Sequence, residues 1–195
     1  TGLIATGISI TTLINPTGTH PHLSSHELFQ NPDMIAGIFG WMMLYLATLT
    51  INLAWHGWLC MRNKRDHQKN GAWHNLLLQV ILTATSANCF ARGVALEQPM
   101  MMGIAFVGFA TVATNLWFIY RQPSSPKTRI KEHIKSLVGA GISVYTAFFA
   151  FGAVRLLPVL ALAPGLWAVP LVTGLALIIY HQRAVMTPSR RTQLT

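Results

Sequence analysis

Eight histidines are set in this chain of 195 residues, and imidazole is a common ligand for zinc, copper and iron. They fall into two groups and one outlier. His56, in the stretch NLAWHGWLC, shares a setting with His74, His133 and His181: each lies where a long apolar run meets a basic segment. Converging from different helices, these four could hold haem, a chlorophyll-type pigment or a metal ion. None of them shows a sharp ligand spacing such as H-E-x-x-H. The plainer reading is a set of interfacial rings, because imidazole tolerates the headgroup zone and suits a helix C-terminus when charged. His20, His22 and His26, in THPHLSSHELF, could bind a metal in an exposed loop. Pro21 restrains the first two, however, and Glu27 is the sole carboxylate nearby, so a solvated loop capping the molecule is the stronger expectation. His67 lies in a charged loop and reads as solvated.

Other chemistry is marked by what is missing. Glu27, Asp33, Asp66, Glu97 and Glu132 are the five acidic residues, and all read as loop or helix-end positions. No acid falls in the middle of an apolar run, where a proton-coupled carrier would place one. No paired carboxylates, G-x-S-x-G, P-loop or dinucleotide fingerprint is present. A membrane hydrolase or a pump is therefore disfavoured. Cys60 and Cys89 end or interrupt apolar runs and read as reduced packing residues.

The elements that carry these residues are read from hydropathy. The chain is 52% hydrophobic and 10% charged, against roughly 25% charged in a soluble domain. About 20 apolar residues cross a ~30 Å hydrocarbon core as a helix. Five stretches are expected to do so: Met34–Met61, Trp73–Phe90, Met100–Tyr120, Ile134–Val154 and Gly165–Tyr180. Leu3–Ile14 is apolar but short, either a truncated sixth span, which is favoured, or an interfacial piece. The expectation is an all-α polytopic transmembrane bundle, with residues 1–195 forming one integral membrane domain. The start of the chain shows no basic region followed by a small-x-small site, so no cleavable signal peptide is expected.

If each span switches sides, segments 62–72, 121–133 and 181–195 share a face, with Lys135 at the start of the fourth span counted with them. That face collects Arg62, Lys64, Arg65, Lys69, Arg121, Lys127, Arg129, Lys131, Lys135, Arg183, Arg190 and Arg191; only Arg92 and Arg155 lie opposite. The positive-inside rule then places the basic face in the cytoplasm, so the net charge of +9 needs no nucleic-acid partner. Trp55, Trp58, Trp73, Trp117 and Tyr120 fall near that boundary, with Trp41 and Trp167 toward the other, as an aromatic belt would. Arg92 is expected to pair with Glu97. Arg92, Arg155, Lys131 and Lys135 are the candidates for contact with lipid phosphate or a partner.

Small and mildly polar residues recur at helical spacing within the spans: Tyr45, Thr48, Asn52 and His56; Asn75, Gln79, Thr83 and Ser86; Ser136, Gly139, Ser143, Thr146 and Ala150. Such stripes let helices approach and bond across their interface, or they line a polar cavity for a small ligand or lipid headgroup. Pro170 removes a backbone bond inside the last span and could open such a cavity.

The run KEHIKSLVGAGISVYTAFFAFG, Lys131 to Gly152, resembles a bacterial family of predicted membrane proteins classed as a domain of unknown function. The likeness rests on His133-Ile134, Gly139 to Gly141, Thr146-Ala147-Phe148, and Trp167 with Pro170. It covers roughly residues 130 to 180, implies a membrane fold and brings no activity. The expected function is a non-catalytic, accessory or structural component of a membrane, in a bacterial inner membrane, packing with lipids and other membrane-protein subunits. The alternative is a haem-, pigment- or metal-binding redox protein built on His56, His74, His133 and His181. AWHGW is similar to pigment-binding helices only in its histidine and tryptophan.

Overall fold

The computed structural model describes residues 1–21, 31–121, 125–156 and 164–186, with backbone alone for 150–156, 164, 166–167 and 186. Among the described residues the chain is helical and has no strand. Helix α1 spans Gly2–Ile14. Helix α2 runs unbroken over Pro32–Arg62 and includes a π-helical stretch, Ala36–Met42. Helices α3 (Trp73–Ala95), α4 (Pro99–Tyr120), α5 (Pro126–Leu156) and α6 (Pro164–Met186) follow. Short turns, Pro16–Thr19 and the 3-10 segment His67–Gly71, link them.

The boundaries follow local rules. Pro32, Pro99, Pro126 and Pro164 each open a helix, where a missing N–H costs nothing and φ is already set. The turn between α3 and α4 closes with Gln98 N–H donating to Gly93 O (2.8 Å) and Glu97 N–H to Val94 O (3.2 Å). This is a Schellman motif, and Glu97, at φ 53°, occupies the left-handed position that usually falls to glycine. Inside the apolar α1, hydroxyls bond to carbonyls four residues back, as in Thr6 to Gly2 O, Ser9 to Ala5 O and Thr12 to Ile8 O, which satisfies them without water.

Four helices pack with alternating direction. On α2 and α5, Gly57 meets Ser136, Leu53 meets Gly139, and the Ser143 hydroxyl donates to Leu46 O. Numbers that fall on one helix as they rise on the other mean antiparallel packing. Helices α3 and α4 are antiparallel by the same logic, through Gln79 with Asn115 and Cys89 with Met101. Thr48 with Thr85 and Trp55 with His74 set α2 against α3 in the same way. The ends of α2 and α4 and the starts of α3 and α5 therefore gather at one end of the bundle. Segment 63–72 meets the end of α4 and the start of α5 there directly: His67 Nε2 donates to Phe118 O (3.0 Å), and the Arg129 guanidinium donates to Lys64 O. Helix α1 packs on α2, and α6 on α5.

Among the described residues three helices are long and apolar enough to cross a membrane: Pro32–Arg62, Pro99–Tyr120 and Ala168–Val185. Trp73–Phe90 and Ile134–Val154, also expected to cross, are helical but less apolar. The physical reason lies in their buried faces and ends. Asn75, Gln79 and Ser86 lie on the buried face of α3, and α5 begins two turns earlier than its apolar run, with charged residues from Lys127 to Lys135. Helix α1, at 13 residues, reaches only ~20 Å.

Polar side chains are buried beside an apolar core, and large apolar side chains are exposed. Among the described residues Ser9, Thr12, Asn52, His56, Asn75, Gln79, Ser86, Asn115, Ser136, Ser143 and Thr146 are buried. Leu3 and Ile14 of α1, Val80 of α3, Phe106 of α4, Phe148 of α5 and Val172 of α6 are exposed. A soluble bundle would place these groups the other way round. The apolar core itself is centred on α2, with Ile38, Met42, Tyr45 and Leu49 against Leu82, Met101 and Ala105.

Candidate functional site

The chemistry-bearing residues meet at the basic end of the bundle, where α2 and α5 cross. The crossing is close because Gly57 has no side chain: a Cβ there would lie 3.0 Å from Ser136 Cβ and 3.6 Å from His133 O. That approach brings the face Glu132, Lys135, Ser136 of α5 against His56, one residue before the glycine. His56 is fully buried, and its Nε2 lies 3.3 Å from Glu132 Oε1. An ionised carboxylate only accepts, so Nε2 carries the hydrogen. Lys135 Nζ lies 2.5 Å from the same oxygen and donates to Thr114 Oγ1 on α4 at 3.2 Å. Glu132 is thus the hub of a three-residue cluster joining α2, α5 and, through Lys135, α4. Burial alone would raise the Glu132 pKa; the hydrogen bonds and charges of His56 and Lys135 outweigh that and hold it below the ordinary value of 4.5.

A second cluster lies one turn deeper. Asn115 Nδ2 donates to Asn52 Oδ1 (3.0 Å) and to Gln79 Oε1 (3.4 Å), joining α4, α2 and α3. Asn52 and His56 are four apart on α2, so both clusters lie on one stripe of that helix. Further along, the Tyr45 hydroxyl donates to Ile104 O (2.6 Å), and a Cβ at Gly108 would lie 2.8 Å from the Tyr45 ring. Several buried atoms in this seam have no protein partner: Asn52 Nδ2, His56 Nδ1, Gln79 Nε2, Asn115 Oδ1 and Ser136 Oγ. The seam can exchange protons and bind water-sized polar groups, but it contains no nucleophile paired with a base.

The four candidate histidines each have their own partners. His56 is held by Glu132. His133 uses Nδ1 on Gly57 O, at 2.8 Å. His74 stacks edge-on against Trp55 and Trp73. His181 contacts its neighbour Tyr180 on α6. Among the described residues no group of three or more His, Cys, Asp or Glu is placed to hold a metal ion. His20 reaches back to Thr12 Oγ1 (3.2 Å) and to the Phe39 ring, whereas His22 and His26 lie outside the described residues. His67 is not the solvated residue expected: it closes the end of α4, and its Nδ1 faces Asn70 Nδ2 at 3.2 Å. Arg92 does not pair with Glu97; its guanidinium lies over the Trp41 ring, 5.5 Å from the centroid. The Arg155 side chain lies outside the described ones, and Lys131 is half-buried. Both cysteines are free and buried.

Glu132 is the residue that sequence reading missed. It was placed at a helix end, yet α5 begins at Pro126 and carries it on a helical face. The available signal was the i, i+3 spacing of Glu132 and Lys135 beside the small residues Ser136 and Gly139. No family model, no curated protein and no solved structure matches this chain.

Proposed function

We propose that this chain is a non-catalytic integral membrane component that packs with lipids and other membrane-protein subunits. In this reading α2 to α6 each cross the bilayer, and the basic end faces the cytoplasm of a bacterial inner membrane. The observation that carries the reading is the inverted polarity: amides, hydroxyls and one imidazole inside, isoleucine, leucine, valine and phenylalanine outside. In lipid the outer face needs no charge, and buried amides hold helices together because the alternative is an unsatisfied group in hydrocarbon. The gathering of segment 63–72 and residues 125–129 at one end supports a shared cytoplasmic side, with exposed Trp73, Trp117 and Tyr120 at headgroup depth.

Single cysteines at Asp66 and Thr128 test this topography. Both are expected to be protected from an impermeant thiol reagent in intact cells and labelled after permeabilisation; labelling of just one in intact cells overturns it. The histidine-cofactor reading is tested on the same preparation by its absorption spectrum. A Soret or pigment band that His56→Leu removes would replace the non-catalytic reading.

A further inference from the structure

A cavity of about 270 Å³ lies between α2, α4, α5 and α6. It is nearly twice the ~150 Å³ of an engineered apolar cavity that stays dry and takes benzene. Leu49, Leu53, Val107, Ile142, Leu171 and Ile178 are among its lining residues. Most hydroxyls in its wall are already committed: Tyr45 to Ile104 O, Thr111 to Val107 O, Thr114 to Thr111 O and Ser143 to Leu46 O. Thr146 is the remaining hydroxyl of the wall, which is otherwise largely apolar. One end differs, because Lys135 and Thr114 line it. An ammonium group has three hydrogens, and Lys135 directs one to Glu132 and one to Thr114. The third is left for an anion at the mouth.

The dimensions match one leaflet. From Lys135 to Thr146, both in the lining, α5 advances about 16 Å at 1.5 Å per residue, about half of a ~30 Å hydrocarbon core. Helix α4 packs on α3 and α6 on α5, so the cavity fills the gap between two helices that belong to different pairs. Pro170 is buried in α6 beside this wall, and its missing N–H leaves the Leu166 carbonyl without its helical partner.

We propose that this cavity holds one acyl chain of an anionic phospholipid of the cytoplasmic leaflet, with the headgroup phosphate on Lys135. The proposal rests on the membrane reading above and names the lipid and its seat. Its length, its apolar wall and the remaining ammonium hydrogen of Lys135, whose charge Glu132 shares, together select this occupant.

The test is native mass spectrometry of the full chain, extracted from membranes in mild detergent. The wild type is expected to retain one phospholipid of anionic head class. Ala110→Phe, which fills the cavity from α4, should reduce the bound fraction about tenfold. Leu175→Trp fills it from α6 and serves if the first variant lowers the melting temperature. Lys135→Gln should keep a lipid but lose the preference for an anionic head when the protein is offered equal anionic and zwitterionic phospholipid. No retained lipid, equal retention in both filled variants, or a free fatty acid or neutral lipid in place of the phospholipid overturns the proposal. A chain released from membranes by alkaline carbonate would instead sink the membrane reading, a separate result.

Discussion

Helices α2 and α6 both contain an apolar window long enough to cross a membrane, yet they are used in opposite ways. In α2, 56% of that window is buried; in α6, 11%. Helix α2 touches α1, α3 and α5 and carries Asn52, His56 and Gly57, each with a specific neighbour. Among the described residues helix α6 packs mainly on α5 and turns Val172, Leu177 and Ile179 outward. Hydropathy therefore selects which helices can enter lipid but does not rank them within the bundle. Rank is set by small and polar residues, since an apolar side chain gains little by exchanging lipid for protein.

This contrast can be broken most directly at Gly57. Gly57→Leu forces a branched side chain against Ser136 Cβ and the His133 carbonyl and is expected to cost about 3 kcal/mol, read as a lower melting temperature in detergent; an unchanged melt would deny the close crossing. A smaller loss, about 1–2 kcal/mol, is expected for Asn115→Leu, which leaves Asn52 and Gln79 without their shared donor. Loss of both would show that α2 is held by these contacts rather than by its apolar area.

Acid should act on α2 and leave α6 untouched. The folded state holds the Glu132 pKa below 4.5, so its stabilising contribution is complete above that value and declines as pH falls through the depressed one. The melting temperature is expected to drop as pH is lowered from neutral to about 3, and Glu132→Gln should be less stable at neutral pH with a flatter acid limb. A variant with the same limb as wild type would remove Glu132 from the account. The smallest effect is expected on α6: Ile179→Ala, half-exposed, should change stability by under about 0.5 kcal/mol. A large loss there would mean that α6 has a protein partner on its outer face.

How much was legible in the sequence varies by element. The apolar runs and their basic connectors were plain, and the helices fall where those runs lie. The stripe Ser136, Gly139, Ser143, Thr146 on α5 was visible as spacing and is the face that meets α2. Asn52 and Gln79 were visible as stripe members, but their common donor, Asn115, was not, because it stands alone on α4. Glu132 was hidden by the assumption that a charged residue marks a helix end. Its burial depends on a partner 76 positions away, and no local pattern encodes that distance. The histidines show the same limit: their partners, Glu132 for His56 and the Gly57 carbonyl for His133, lie on other helices and are encoded by no local pattern.

By itself the sequence determined that the chain is helical, that several of its helices are apolar enough to cross a membrane and that its cations gather where the apolar runs end. Those properties come from hydropathy and from periodicity within single segments. Tertiary structure alone decided that His56 meets Glu132, that Asn115 bridges two helices and that a cavity ends at Lys135. Each of these depends on the distance between helix axes and on the rotation of each helix about its own axis. Both are set jointly by glycines and hydroxyls on different segments, so neither helix of a pair encodes the contact alone.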